Sequence, residues 1–455
     1  MTYCVVGGGI SGLTTAYRLR AAVGEQARIV LFDPAERLGG LLCTEQIGGQ
    51  PMDVGAEAFL VRRPEVPALL TELGLTDRQL STTGVRPVIY SQAQSHRLPS
   101  GTVIGIPSTA TSMAGLVDDA TVARIAGEPS RQLTWQCGSD PAVAELVADR
   151  FGEQVVARSV DPLLCGVYAG SAAGIGVRSA APGVAAALDR GAVCLTDAVR
   201  QALPSVTDAP IFGALDGGYR VLVDELVRRG RPQWVQAGVA HIRRGRHGWT
   251  LRDDAGADWH ADTVVLAVPA SRLTPLLADI APAAATAANR IASSSAAVVA
   301  LALPGATPFP RCSGVLVASG ERLRVKAITL SSQKWGLRGD VGLLRLSFGR
   351  FDDAAENPAL SATDQQLITW ALADLATVFG VEVEPIDVCV RRWLELMPQY
   401  GPGHADVVAQ LHAGLPSSLA VAGNYLEGIG VPACIASAGR AVARVLGALE
   451  NGMAR

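Results

Sequence analysis

The stretch Tyr3-Cys4-Val5-Val6-Gly7-Gly8-Gly9-Ile10-Ser11-Gly12-Leu13 decides the fold. A short β-favouring run enters a turn that only glycine tolerates, and Ile10, Leu13, Ala16, Leu19 and Val23 then recur at helical spacing until Gly24. Residues 28–32 form a second strand, and Asp33 ends it 21 positions after Gly12. In this Gly7-x-Gly9-x-x-Gly12 pattern Gly7 makes the tight turn, Gly9 lets a pyrophosphate reach the backbone, and Gly12 lets the helix pack on the sheet. The helix N-terminus offers free N–H groups and partial positive charge to phosphates, and Asp33 accepts from ribose hydroxyls. A dinucleotide site follows.

Three features outward from this stretch select FAD over NAD. Arg37-Leu38-Gly39-Gly40-Leu41 supplies a second close-approach glycine pair behind an arginine. Asp53-Val54-Gly55-Ala56-Glu57-Ala58 is an acid–glycine turn where the chain should return beneath the cofactor. At the far end Gly423-Asn424-Tyr425-Leu426-Glu427-Gly428-Ile429-Gly430-Val431-Pro432 leads from a strand into a final helix. A helix N-terminus aimed at an isoalloxazine favours the anion formed on reduction, an element NAD enzymes do not need. The candidate cofactor residues are therefore Gly7, Gly8, Gly9, Ile10, Ser11, Gly12, Asp33, Arg37, Gly39, Gly40, Leu41, Gly55, Ala56, Glu57, Ala58, Gly423, Gly428, Ile429 and Gly430.

Composition narrows the class. With 455 residues the chain holds about three domains' worth of material. An apolar fraction of 49% against 18% charged describes a well-buried globular protein, and a net charge of −3 argues against nucleic acid. Among 39 basic residues only Lys326 and Lys334 are lysines, so guanidinium is the usual partner for any bound anion. Mean hydropathy is +0.27, yet no uninterrupted apolar run nears the ~18 residues of a membrane span. The scattered cysteines form no CxxC and the histidines no ligand spacing, so reduced core thiols and no metal site are expected. The N-terminus enters a strand at once without leader features, which points to the cytoplasm.

Further along, residues 261–269 and 419–422 read as buried strands followed by turn and helix, the rhythm of an α/β sheet. Residues 90–205 show little strand pattern and several helical stretches. Residues 285–395 alternate apolar runs and turns (296–303, 313–317, 327–330, 341–348), a mostly antiparallel sheet.

Several segments resemble the oxygen-dependent, FAD-containing porphyrinogen oxidases of the amine-oxidase-like flavoprotein superfamily, in particular the bacterial coproporphyrinogen III oxidase group. The resemblance spans essentially the whole chain. It rests on Arg150-Phe151-Gly152-Glu153-Gln154 with Asp161-Pro162-Leu163-Leu164-Cys165-Gly166-Val167-Tyr168-Ala169-Gly170, on residues 327–335, on Arg392-Trp393-Leu394-Glu395-Leu396-Met397-Pro398-Gln399-Tyr400 with Gly403-His404, and on residues 428–435. Ala433 departs from it, standing where an aspartate is expected.

The resemblance implies an α/β plus α+β fold with three parts. These are a Rossmann-like FAD-binding domain built from both chain ends (1–75, 212–280 and 396–455), an antiparallel-sheet substrate domain (76–90 and 281–395), and a helical insertion (91–211) corresponding to the membrane-associating part of mitochondrial relatives. It implies oxidation of coproporphyrinogen III to coproporphyrin III in heme biosynthesis, with non-covalent FAD and three O2 giving three H2O2. Hydride leaves a methylene bridge for the flavin, so the chemistry belongs mainly to the cofactor. Protoporphyrinogen IX is the alternative substrate, and an amine oxidase or carotenoid desaturase the alternative activity. A flavin-loaded binding protein without turnover is the alternative class. On the same basis Gly166 and Tyr168 are catalytic candidates, and Arg86, Gly170 and Arg345 substrate candidates, with Arg324 a further arginine. Val239 meets the adenine, Trp393 the flavin, and His404 braces the Trp393 strand. The implied partners are the tetrapyrrole, O2 and, by transient handover, a ferrochelatase, with no transmembrane segment and at most peripheral membrane contact.

Overall fold

The computed structural model describes residues 1–204, 210–246, 248–337, 339–351 and 357–453. Its centre is a five-stranded parallel sheet in the order Gln233–Val235, Arg28–Phe32, Thr2–Val6, Thr263–Leu266, Leu419–Val421, so the first strand pairs on one side with the second and on the other with one 260 residues further on, where Val6 faces Leu266. Strand alternation sends Cys4, Val6, Val30, Phe32, Val264 and Leu266 to one face and Tyr3, Val5, Ile29, Leu31 and Val265 to the other. Both sets are buried, as a parallel sheet requires. The first face packs on an antiparallel meander (Val239–Gly245, Gly248–Asp253, Asp258–Ala261) and on the helices Ala270–Leu277, Pro282–Asn289 and His404–Ala413. The second packs on the helices Ile10–Val23, Arg220–Gly230 and Val431–Met453.

A seven-stranded sheet, antiparallel except where Gly314–Val317 runs beside Val88–Ser91, lies next to this unit. Its long strands Ser293–Pro304 and Val341–Phe348 bury Val299, Leu301, Leu303, Leu344 and Leu346 against Leu367, Ala371 and Leu375 of the helix Asp364–Phe379. On the opposite side Ala300, Ala302 and Leu343 pack on Cys43, Ile47, Met52 and Val54, which fixes the sheet to the loops that follow the second parallel strand. The third layer is helical, from Asp119–Ala126 to Leu195–Ala202. Its interior holds a charged pair, Arg150 at 2% and Glu128 at 0% side-chain exposure, 2.8 Å apart. Glu128 also accepts from Leu195 N and Thr196 Oγ1, both at 2.8 Å, and Arg150 donates to the Gln132, Glu128 and Arg131 carbonyls, so neither charge is left unsatisfied.

Two elements differ from the sequence reading. Residues 88–107 contain two short hairpins rather than helix. The first turns at Gln92 and Ala93, which take φ of 53° and 55° without the Gly or Asn that normally announces such a turn. The helix Asp364–Phe379 interrupts a region read as sheet, and Thr363 and Gln366 close a capping box at its start. Val239 lies in the meander, opposite Asp253. The helix Val431–Met453 is apolar and long enough over Val431–Leu449 to cross a membrane by composition. Its Val431, Ile435, Ala441 and Val445 are instead buried in the core beside the sheet.

Candidate functional site

Gly7 has φ +107°, and a Cβ there would sit 2.3 Å from the Ala267 carbonyl oxygen, while one on Gly12 would lie 1.8 Å from Gly7 O. Both positions are closed to any side chain. Gly9 is the opposite case: a Cβ would meet no heavy atom within 4 Å. Turn and helix are thus packed tight on either side of one open backbone face, where Ile10 and Ser11 begin the helix. Asp33 borders this opening with its carboxylate already aimed, since Oδ2 accepts from Gly8 N at 2.6 Å and Oδ1 from Ala35 N at 2.9 Å. Each oxygen keeps a lone pair for a ribose hydroxyl.

The second glycine turn is bonded directly to the first, through Gly39 N to Gly8 O at 2.8 Å, and a Cβ on Gly40 would come within 3.1 Å of Gly9 Cα. Arg37 wraps this turn, donating to the Leu38, Gly40 and Leu42 carbonyls at 3.2, 2.8 and 3.1 Å. Leu41 O in turn accepts from Ala56 N at 2.9 Å, and a Cβ on Gly55 would lie 1.9 Å from that oxygen. The third loop therefore stacks on the second. It is also pinned from the seven-stranded sheet. Trp393 Nε1 donates to Val54 O at 3.0 Å, and Arg345 Nη1 donates to Asp53 O at 3.1 Å and Gly55 O at 2.9 Å.

Glu57 is the strongest of these anchors. Its carboxylate accepts from Ser331 Oγ and Lys334 Nζ, both at 2.7 Å, and from Trp335 Nε1 at 3.2 Å. Burial pushes its pKa up, but the charges of Lys334 and Arg345 and the donated hydrogen bonds outweigh this and bring it down to about 2. Asp53 is buried beneath the same loop. It accepts from Thr44 Oγ1 at 2.5 Å and from Tyr219 N at 3.1 Å, ahead of the helix Arg220–Gly230. Burial dominates there, and its pKa is pushed up to about 7. Ala58, next to Glu57, is half-buried and leads into the short strand Phe59–Leu60.

The C-terminal turn is braced by the helix that follows it. Gly423 N donates to Ser437 Oγ at 3.2 Å, and a Cβ on Gly423 would fall 2.3 Å from the Tyr425 ring. Gly428, Ile429 and Gly430 remain partly accessible and lead into the final helix. Ala433 packs against Gly428, where a Cβ would lie 2.7 Å from the Ala433 methyl. The Cys434 thiol, bonded to Ser11, is pushed up by burial to about 11 and stays protonated at neutral pH.

The remaining candidates lie on the helix Asp161–Tyr168 and the seven-stranded sheet. A widened π turn, Val156–Val160, precedes that helix, and Asp161 fixes its start by accepting from Ala172 N at 2.7 Å and Ser319 Oγ at 2.8 Å. Gly166 and Val167 are exposed on it. Tyr168 is turned inward, its hydroxyl 3.4 Å from Ser179 O in the helical core and its pKa raised by burial. A Cβ on Gly170 would collide with Gln399 Oε1 at 2.0 Å. Arg86 is exposed at the head of the strand Val88–Ser91, and its guanidinium bonds to no described residue. Arg324 instead stacks over Trp370 at 4.2 Å. Among the described residues no group of His, Cys, Asp and Glu is placed to hold a metal. The Glu57 and Asp53 clusters were not legible as anchors; the one signal for the first was Lys334, one of two lysines in the chain.

Residues 10–446 match the family model described as flavin containing amine oxidoreductase. The coproporphyrinogen III oxidase of Mycobacterium tuberculosis (strain ATCC 25618 / H37Rv) is 69% identical over 454 residues, covering 100% of this chain and 99% of that one. The protoporphyrinogen oxidase of Bos taurus is 29% identical, covering 99% of both chains. A crystal structure from Exiguobacterium sp. 255-15 superposes with a TM-score of 0.87 over 98% of each chain at 24% identity.

Proposed function

The chain belongs to the flavin containing amine oxidoreductase family, and we propose that within it this chain is a heme-biosynthetic oxidase that converts coproporphyrinogen III to coproporphyrin III, consuming three O2 and releasing three H2O2. The 69% identity along the full chain to a protein of that activity is the observation that carries the reading. FAD is the cofactor, and when bound it would supply two-electron oxidation at a substrate carbon with O2 as the final acceptor.

The protein's own residues hold and orient. The open face at Gly9, with the helix N-terminus at Ile10 and Ser11, suits the pyrophosphate, while Gly7, Gly8 and Gly12 keep that face in place. Asp33 suits a ribose and the backbone at Val239 the adenine. Arg37, Gly39, Gly40, Leu41, Gly55, Ala56, Glu57 and Ala58 shape the stacked loops, and Trp393 closes them from the sheet. Gly423, Gly428, Ile429 and Gly430 place the last helix so that its N-terminus favours negative charge at the cofactor. The protonated Cys434 thiol agrees with non-covalent binding.

For the substrate we assign Gly166 and Gly170 to a close wall, with Gly166 offering its backbone carbonyl, and Arg86 to a propionate at the rim. Arg345 braces the cofactor loop rather than a propionate, because its guanidinium is engaged by two backbone carbonyls. Tyr168 supports the wall by packing rather than acting in chemistry, because its hydroxyl lies inside the helical core. Aromatisation of the ring drives the reaction, so placement matters more than a strong base. We divide the chain into a FAD unit (1–75, 212–280 and 396–455), a substrate sheet (76–97 and 281–395) and a helical cap (98–211), moving the first boundary so that the hairpin at 88–97 stays whole. The same reading puts the enzyme in the cytoplasm, with at most peripheral membrane contact, passing its product to a ferrochelatase.

The test is to load the purified protein with FAD, add coproporphyrinogen III or protoporphyrinogen IX, and follow porphyrin fluorescence and peroxide. The expected result is a higher kcat/KM for the four-carboxylate substrate. Equal or reversed preference would overturn the substrate assignment.

A further inference from the structure

The segment from Leu396 to His404 is more deeply fixed than a connection between a strand and a helix needs to be. Gln399, Tyr400 and His404 are 5%, 3% and 6% exposed. The Tyr400 hydroxyl donates to Asn424 O at 2.5 Å and accepts from Gly428 N at 2.9 Å, so a single oxygen closes both ends of the C-terminal turn. His404 stacks on the Tyr400 ring, with centroids 4.0 Å apart and planes 17° from parallel, and its Nε2 lies 3.1 Å from Leu426 O in the middle of the same turn. A carbonyl only accepts, so Nε2 carries the proton. Asn424 Nδ2 donates back to Leu396 O at 3.0 Å.

The same segment also reaches the proposed substrate wall. Gln399 Nε2 donates to Tyr168 O at 2.8 Å, and Gly176 N donates to Tyr400 O at 2.8 Å. The rings of Tyr168 and Tyr400 meet at 5.7 Å. Gly403 N is held by Asp140 of the helical layer at 2.8 Å. The strut is thereby bonded to both the wall and the turn, while Gln399 Oε1 is buried without a hydrogen-bond partner among the described residues.

We propose that Tyr400, seated on His404, is a positioning residue that sets the turn 424–428 against the bound flavin, and that through Gln399 the same strut holds the wall at Tyr168–Gly170. This rests on the FAD reading of the cleft. Removing the Tyr400 hydroxyl leaves Gly428 N–H unpaired and the Asn424 carbonyl short of a donor, while the ring remains to fill its space.

The experiment compares Tyr400→Phe and His404→Phe with wild type in the full-length protein. FAD titration gives Kd, the visible spectrum of the bound flavin reports its surroundings, and Tm is measured with and without FAD. Tyr400→Phe is expected to raise the FAD Kd about ten-fold. It should also move the flavin absorption bands and shrink the FAD-dependent rise in Tm. His404→Phe keeps the stack but loses the Leu426 bond, so it should shift the same readouts less far. Wild-type Kd and spectrum in both variants would overturn the proposal. So would a fall in apoprotein Tm with the FAD-dependent rise unchanged, which is what bare structural damage gives. If Tyr400→Phe fails to fold, His404→Phe decides by the same readouts. Wild type that binds FAD but leaves coproporphyrinogen III unoxidised would defeat the substrate reading alone, and wild type that takes up no FAD would defeat both.

Discussion

Replacing Glu57 by Gln removes one charge and leaves a side chain of the same shape. The amide oxygen still accepts from Ser331 and Trp335, but Lys334 Nζ, 19% exposed, loses the carboxylate 2.7 Å away. The native carboxyl titrates at about 2 against an ordinary 4.5. That difference corresponds to about 3 kcal/mol of stabilisation of the charged form. The sign is fixed by the depressed value: the contribution is fully present above pH 4.5 and is lost as pH falls toward 2. Urea unfolding at pH 7 should therefore show the midpoint of Glu57→Gln lowered with little change in slope, by the equivalent of about 3 kcal/mol. Wild type should lose that advantage over the variant between pH 4.5 and the acid limit. The double variant Glu57→Gln with Lys334→Met should recover much of the loss, because the stranded ammonium is gone. A single variant within about 0.5 kcal/mol of wild type at pH 7, with parallel pH profiles, would refute the claim that this pair docks the sheet onto the loop 53–58.

Asp53 titrates in the opposite sense: its native pKa is raised to about 7, so its charged form costs stability that grows as pH rises from 3.8 through 7. Asp53→Asn should be more stable than wild type at pH 8, by on the order of 2–4 kcal/mol, and indistinguishable from it near pH 4 in the same unfolding assay. Glu395 has φ +55° at a bulge where its N–H donates to Ser295 Oγ, so Glu395→Gly should raise stability by about 1 kcal/mol, read as a higher unfolding midpoint. Arg86→Ala should raise KM for coproporphyrinogen III about ten-fold with kcat little changed, and an unchanged KM would remove Arg86 from the site.

The sequence by itself determined the glycine-rich turn that opens the central sheet. Strand, glycine turn, helix and terminal acid are set by residues within 33 positions, and local sterics dictate each of them: Gly7 and Gly12 because neighbouring carbonyls leave no room for a Cβ, and Asp33 because the strand ends there. It also marked the long strands of the second sheet, whose apolar runs have no other stable outcome than burial. The hairpin at Gln92-Ala93 was invisible because its left-handed residues are ones that seldom adopt that conformation, and the surrounding sheet imposes it. Only the tertiary structure decided what the polar side chains do. Arg345 lies 290 residues from the Gly55 carbonyl it holds, Glu57 lies 277 from Lys334, and Tyr400 lies 28 from Gly428. A charged side chain read alone offers several partners, and the choice among them is made by whichever carbonyl, carboxylate or ammonium the packed layers bring within 3 Å of it.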